Sequence, residues 1–513
     1  MSLLGIDVGT SGCNAGVFSE TGRLIALAYE EYDVQRPAAG WAELDARQVW
    51  AQVQRTIRTA VARVADDPIR ALSVSSMGEA VVPVAADRRI LGPSLLNFDT
   101  RGNEYLPGWR AALSNERLYR INGNTLGDQY GLTKLQWLRQ HQPDLYERTH
   151  KFLLWGSFVA FMLGAEPLVD YSLANRTLLF DLDRRDWSDE LLALAGLDRD
   201  RLPAAAPSGT VIGRVSRQAA GELGLPAGAS IVAGGHDQCI NGVGCGAIAP
   251  GRAMYGMGTY ICMMPVFDRR PEPDVMIARG LNTEHHAAPG RFVSFIYNHG
   301  GSILKWFRDA FAATDRRLAA ESGRDIYADL IAELPAAPSR VIALPHWGPT
   351  GPPEFVSDSS GVLAGLRLET TRGDILKGIL EGVTFYERAC LESLPAAGIA
   401  SPDVPGIEIN ALAAVGGGSK ADAWLQMTAD ILGRPTMRPA IAEAGVLGAA
   451  IVAGTGCGVF PSLAAGVETM VRPDRVFEPN PTIQRLYDER FEKYRRLWPL
   501  MRDYLRDLGQ QES

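Results

Sequence analysis

Two carboxylates, Asp7 and Asp237, stand where residue types and spacing suit chemistry. Asp7 lies in GIDVGTSG (5–12), where an apolar run delivers an acid directly into Gly9, Thr10, Ser11 and Gly12. A turn of that kind presents backbone N–H groups and hydroxyls, the material of an anion nest. A neighbouring carboxylate suits Mg²⁺, which binds through one or two acids, waters and substrate phosphates. The same residues would equally make a plain glycine hairpin. The stretch is not a GxxxxGK[ST] loop, and a second strand rather than a helix follows it, which excludes a dinucleotide GxGxxG. Asp237 lies in GGHDQ (234–238), at the end of an apolar strand with a bare backbone. That placement fits a general base that must approach a hydroxyl closely, or an Asp that simply opens a turn. His236 lacks neighbours at metal-ligand spacing and is read as a packing residue. YGMGTY (255–260) is a second glycine hairpin, with Gly258 and Thr259 at its tip. GGGSK (416–420) joins a strand to a helix; there Gly417 and Gly418 let backbone approach a nucleotide and expose helix N-terminal donors. Each feature alone reads as a turn. Together, two hairpin loops, two acidic strand ends and a strand–glycine–helix unit point to a two-domain phosphotransferase.

The elements that must carry these residues are legible from periodicity. Residues 2–8, 13–18 and 24–34 read as three strands in an antiparallel meander, 45–65 as an amphipathic helix, and 69–78 as a returning strand. The middle, 110–200, is mostly helical in pattern, with 134–163 its clearest stretch. A strand returns at 228–234. Then 251–267 repeats the opening logic of strand, glycine turn, strand, half a chain later. The repeat suggests two related halves with a boundary near 240–250. In the second half, 302–312 and 372–394 read as amphipathic helices, 408–432 as strand, glycine loop and helix, 442–458 as a helix of small residues, and 482–508 as a long terminal helix.

Composition bounds the class. The chain has 513 residues, which at about 100–200 per domain suggests two to four domains. Hydrophobic residues are 46% and charged residues 21%, which excludes disordered, collagenous and coiled-coil chains. Lys+Arg is 51 against Asp+Glu 59, a formal net charge of -8, so neither nucleic acid nor an anionic membrane is expected as partner. Six cysteines without a CxxC pair do not make a disulfide framework. The opening residues have no basic segment of a signal peptide, and no apolar run reaches the length of a membrane span. A cytoplasmic protein is expected. Glycine, 54 of 513, is the unusual count, and much of it clusters at the turns named above.

Longer stretches resemble one family. KLQWLRQH (134–141), GVLAGLRLETTRGDILKGILE (361–381) and DYSLANRTLLFDLDRRDWSDELL (170–192) are similar to the signatures of the FGGY carbohydrate kinases, within the actin, sugar kinase and Hsp70 ATPase superfamily. The resemblance covers residues of about 2–500. QYGLT (129–133) departs from the small residues usual before Lys134, and Gly378 stands where the family favours Ala or Ser. The resemblance implies an α/β fold of two ribonuclease H-like (actin-like ATPase) domains, each a mixed five-stranded sheet flanked by helices, with a cleft between them. The domains would be 1–243, with the sugar site and catalytic base, and 244–513, with the ATP site and terminal helix.

By the same resemblance, Asp237 is the catalytic base and Asp7, with Asp237, holds Mg²⁺. Gly9, Thr10, Ser11, Gly258, Thr259, Gly301, Gly417 and Gly418 line the ATP site, and Gln238 touches the sugar. Asn14 departs from the Lys or Arg many members carry there. Two further loops face the sugar in the family. SSMGEA (75–80) supplies Met77, Gly78 and Glu79; NFDTRG (97–102) supplies Asp99 and Arg101, similar to the Asn-Asp-x-Arg of xylulokinases. Glu79 and Arg101 could instead form an ion pair that scaffolds the cleft. The resemblance implies an ATP-dependent sugar kinase acting on a small-molecule sugar, with D-xylulose leading. Gluconate, ribulose, glycerol, the autoinducer sugar, and a non-catalytic sugar-binding regulator are alternatives. A homodimer is expected.

Overall fold

The computed structural model describes residues 1–64, 67–352, 355–393 and 409–510. Ala65, Leu394 and Glu408, the terminal residues of three expected elements, lie outside the described residues.

Two mixed sheets organise the chain. The first has strand Ser2–Val8 at its centre, antiparallel to Gly12–Ser19 and parallel to Ile69–Ser76. Leu24–Glu31 extends it on one side, and Ser230–His236 and Val211–Arg214 on the other. The central strand reads as a continuous apolar run because both faces are covered: Leu3, Leu4, Ile6 and Val8 are buried. The second sheet repeats the plan with Gly251–Met257 at its centre, antiparallel to Tyr260–Phe267 and parallel to Ile409–Val415. Ile296–His299 and Thr436–Pro439 complete that core. Each sheet therefore holds the expected five-stranded core and adds to it, reaching six and eight strands among the described residues.

Most expected elements form. The helices Ala46–Val61, Gly301–Phe311, Arg372–Ser393, Asp422–Leu432, Ala444–Gly456 and Pro481–Gln510 fall on their periodic segments. Two readings need correction. The third strand stops at Glu31, because Tyr32 turns inward and its hydroxyl donates to the Gly9 carbonyl at 2.6 Å and the Gly12 carbonyl at 3.0 Å. Tyr32 thereby clamps the first hairpin shut. The stretch 134–163 is not one helical run. Helix Gly131–His141 ends before Pro143, which starts a short helix, and Lys151–Leu154 is a strand paired with Val81–Val84 before helix Trp155–Leu163.

The helix Ala444–Gly456 packs against both the first sheet and helix Asp237–Cys245, and its small residues permit backbone contact. A Cβ on Gly5 would lie 1.8 Å from the Val446 carbonyl oxygen; one on Gly244 would lie 1.9 Å from that of Ala444. On the facing side, a Cβ on Gly448 would lie 2.0 Å from the Ile240 carbonyl. The NGVGCGA run (242–248) after Asp237 is thus the seat of a close helix pair. This packing brings the two sheets' strand ends to a common cleft.

Candidate active site

The cleft has a volume of about 390 Å³. Asp7, Asn14, Gln238, Gly258, Thr259 and Gly416 are among the residues that line it, with Glu443 at the edge of the helix Ala444–Gly456. No Lys or Arg is among its lining residues. Asp7 arrives at the end of the first strand, paired in register with Asn14 across the hairpin. Its carboxylate rests on the first turn of that helix: a Cβ on Gly445 would lie 2.8 Å from Asp7 Oδ2. Asp7 Oδ1 is shut from solvent and has no hydrogen-bond partner among the described residues. Burial pushes the Asp7 carboxyl up to about 6.

The residues expected at an ATP site fall on loops held by main-chain bonds. Gly9 donates to Gly12 at 2.9 Å, so Gly9, Thr10 and Ser11 form the tight tip directly after Asp7. The second hairpin is pinned to the following helix: Gly301 N–H donates to the Gly258 carbonyl at 2.9 Å, and Ser302 N–H to that of Thr259 at 3.0 Å. A Cβ on Gly301 would lie 2.4 Å from the Gly258 oxygen, so only glycine allows this approach. Gly416 adopts φ 88°, and a Cβ on Gly418 would lie 2.9 Å from Met257 Cβ. Gly417 meets nothing within 4 Å, leaving its backbone open.

Asp237 begins the helix that follows strand Ser230–His236. Gln238 Nε2 donates to its Oδ1 at 3.2 Å. Burial, then the nearby charges of Asp7 and Glu79, push the Asp237 carboxyl up to about 7. His236 packs edge-on against Phe295, as a packing role requires, and it also sets Nε2 3.2 Å from Asp237 Oδ1. Burial and then Arg176 hold its imidazole well below the usual value, which favours the neutral ring beside the carboxylate. Two carboxylates close enough to repel, one with an unpartnered oxygen, are hard donors that fit a divalent cation sharing its shell with phosphate and water. No group of three or more His, Cys, Asp or Glu poised for a metal occurs among the described residues.

The two loops expected to face the sugar resolve differently from one another. Met77 is buried, and its N–H donates to Val8 at 2.9 Å, tying the loop to the end of the Asp7 strand. Gly78 lies against His236 and Arg176. Glu79 holds a left-handed φ of 61°. Asp99 is buried with both oxygens engaged: Oδ2 accepts from Ala42 N–H at 2.6 Å, and Oδ1 from Arg101 N–H at 2.8 Å. Arg101 also pairs with Glu43 at 2.6 Å and lies over Trp41. The Glu79–Arg101 ion pair considered above does not form; Arg101 takes Asp99 and Glu43, and Glu79 takes Arg176. Arg176 and Glu284 escaped the sequence reading. The only signal was an arginine within the apolar run SLANRTLLF (172–180) and the acid in NTEHH (282–286).

Two sheets of one plan, with a cleft between them and glycine hairpins at their strand ends, make a two-domain α/β fold. The model of the FGGY family of carbohydrate kinases, N-terminal domain, matches residues 2–244, and that of its C-terminal domain matches 253–457. The chain belongs to that family. It is 29% identical over 520 residues to the autoinducer-2 kinase of Salmonella typhimurium, covering 97% of this chain and 94% of that protein. It is similar to the solved xyloylose kinase of Brucella ovis, with a TM-score of 0.83, 27% identity, and coverage of 98% of this chain and 100% of that one. A gluconate kinase from Lactobacillus acidophilus shares the fold, with a TM-score of 0.81 at 21% identity over 98% of each chain. No helix among the described residues is long and apolar enough to cross a membrane.

Proposed function

We propose that the chain transfers the γ-phosphoryl group of ATP to a hydroxyl of a small sugar, with D-xylulose, giving D-xylulose 5-phosphate, as the leading substrate. The observation that carries the reading is the approach of two buried carboxylates, with Asp7 near enough for its charge to raise the Asp237 carboxyl, at a cleft lined by Asp7, Gln238, Gly258 and Thr259. Phosphoryl transfer needs an in-line hydroxyl, neutralised phosphate charge and excluded water, and little covalent help. Asp237 accepts the hydroxyl proton as the new O–P bond forms and the bond to ADP breaks. Its carboxyl, raised toward neutrality, is matched to that exchange. Gln238 and His236 aim it. Mg²⁺ bound at Asp7 and Asp237 would neutralise the phosphates. Backbone at Gly9, Thr10, Ser11, Gly258, Thr259, Gly301, Gly417 and Gly418 receives the nucleotide, and closure of the domains excludes water. Met77, Gly78, Glu79 and Gln238 face the sugar, framed by Asp99 and Arg101.

A second reading takes the autoinducer sugar as substrate, favoured by the autoinducer-2 kinases at 29% identity. A coupled ADP-release assay with D-xylulose, D-ribulose, D-gluconate, glycerol and autoinducer-2 separates them. Asp237→Ala should abolish sugar-dependent ADP release while calorimetry still detects ATP binding; near-native turnover in that variant refutes the base. Sugar-independent hydrolysis in the wild type would favour an ATPase, and no turnover with any sugar a binding regulator. The homodimer and cytoplasmic location belong to the same proposal, and light scattering tests the first.

A further inference from the structure

Glu79 is held by a residue that is itself held from the other half of the molecule. Its left-handed backbone, φ 61°, is strained for a non-glycine residue, so surrounding contacts must impose it. The imposing group is Arg176, just after the short helix Tyr171–Asn175. Arg176 Nε donates to Glu79 Oε1 at 2.6 Å, and its Nη2 reaches the same oxygen. Its Nη1 donates to Glu284 Oε1 at 2.6 Å. Glu284 lies in the two-residue strand Glu284–His285, beyond the centre of the second sheet in sequence but docked on the first half: Thr283 N–H donates to the Gly123 carbonyl at 2.8 Å. Asn282 Nδ2 fixes the Glu284 oxygen at 2.8 Å. Two carboxylates thus share one guanidinium; burial pushes the Glu284 carboxyl up while Arg176 beside it favours its ionised form, in which the trio has one negative charge in excess, and the Glu79 charge reaches Asp237. No Lys or Arg is among the described residues that line the cleft of Asp7 and Gln238.

We propose that Arg176 and Glu284 are specificity-determining positioning residues, which hold the Glu79 carboxylate at the sugar end of the cleft and, by leaving acids in excess, select an uncharged polyhydroxy sugar over an aldonate. The inference rests on the sugar-kinase reading above. A neutral sugar donates hydroxyl hydrogens to Glu79. An aldonate brings its carboxylate against the acid in excess over Arg176 in a partly desolvated site, where repulsion is far stronger than in water.

The test is steady-state kinetics on D-xylulose, D-ribulose, autoinducer-2 and D-gluconate, with ATP varied separately. The wild type should use an uncharged sugar and reject D-gluconate. Glu284→Gln keeps the shape and removes one charge. It should narrow the preference for the best uncharged sugar over D-gluconate by about tenfold, a change of binding free energy near 1.4 kcal/mol, with the ATP KM unchanged. Arg176→Lys keeps the charge and loses the two-pronged grip on Glu79. It should raise the sugar KM by about tenfold while moving the ATP KM less than twofold. If Glu284→Gln does not fold, Arg176→Lys decides alone. A wild type that prefers D-gluconate overturns the inference and leaves the kinase reading standing. So do variants whose sugar KM and preference stay within twofold of wild type, or whose ATP KM moves in step with the sugar KM. A wild type inactive on every sugar overturns both.

Discussion

Gly445→Ala should disable the nucleotide half of the reaction without unfolding the protein. The new Cβ would lie 2.8 Å from Asp7 Oδ2 and 2.9 Å from Cγ, where ordinary contact begins at 3.4 Å. The carboxylate must retreat by the difference, about 0.6 Å. It sits at the end of a side chain and can do so, unlike main chain. A displacement of that size is of the order that costs a catalytic group about tenfold to a hundredfold, or about 1.4–2.7 kcal/mol. The loss should appear in kcat/KM for ATP, with sugar KM within twofold. The overpacking cost of about 1–3 kcal/mol is shared with a movable neighbour, so Tm should fall by only a few degrees. Gly5→Ala is the control on the same contact surface. Its Cβ would lie 1.8 Å from the Val446 carbonyl oxygen, in main chain at the centre of a strand and helix that cannot part locally. That variant should misfold or lose Tm by far more. Coupled ADP release and differential scanning fluorimetry measure both. The reasoning fails if Gly445→Ala keeps native kcat/KM for ATP, or if its Tm falls as far as that of Gly5→Ala.

Three further outcomes follow from the same geometry. Asn14→Lys places a cation in a cleft whose lining has none; it should lower the ATP KM by about tenfold and leave sugar KM alone, and an unchanged ATP KM would show that phosphate charge is already met. Glu79→Gln and Asp99→Asn each weaken a buried pair, with Arg176 and Arg101 respectively, and both should lower Tm, by the equivalent of up to about 3–5 kcal/mol; Glu79→Gln should in addition raise sugar KM by more than Asp99→Asn does, and equal sugar KM values for the two would refute the division. Glu381 accepts from Ser339 N–H at 3.0 Å and from the Tyr487 hydroxyl at 3.1 Å, and burial pushes its carboxyl from 4.5 up to about 7. The folded state then holds a proton the unfolded state has released, so its contribution is full below pH 4.5 and is lost as pH rises through 7. Glu381→Gln should therefore lose less stability than wild type between pH 5 and 8, by on the order of 3 kcal/mol, and parallel Tm–pH curves would contradict it.

What could be read from sequence was what is local. Asp7, Asp237 and both hairpins announce themselves because an acid at a strand end and a glycine at a tight tip are short-range requirements, met within a few residues. The repeat of strand, turn and strand at 251–267 exposed the second sheet for the same reason. Lys151–Leu154 was hidden inside a helical stretch because four apolar residues have no period of their own, and only their partner Val81–Val84 makes them a strand. The ion pairs were hidden by distance along the chain: Arg176 meets Glu79 across 97 residues and Glu284 across 108. A sequence in which Glu79 and Arg101 both flank the cleft cannot say that Arg101 will prefer Asp99, two residues away, with Trp41 beneath its guanidinium. That choice matters for chemistry. By satisfying Arg101 within its own loop, the fold leaves Glu79 to be claimed by an arginine that also answers to the second half. Glu79 is therefore tied through Arg176 to Glu284, a residue that follows the second sheet's central hairpin in sequence.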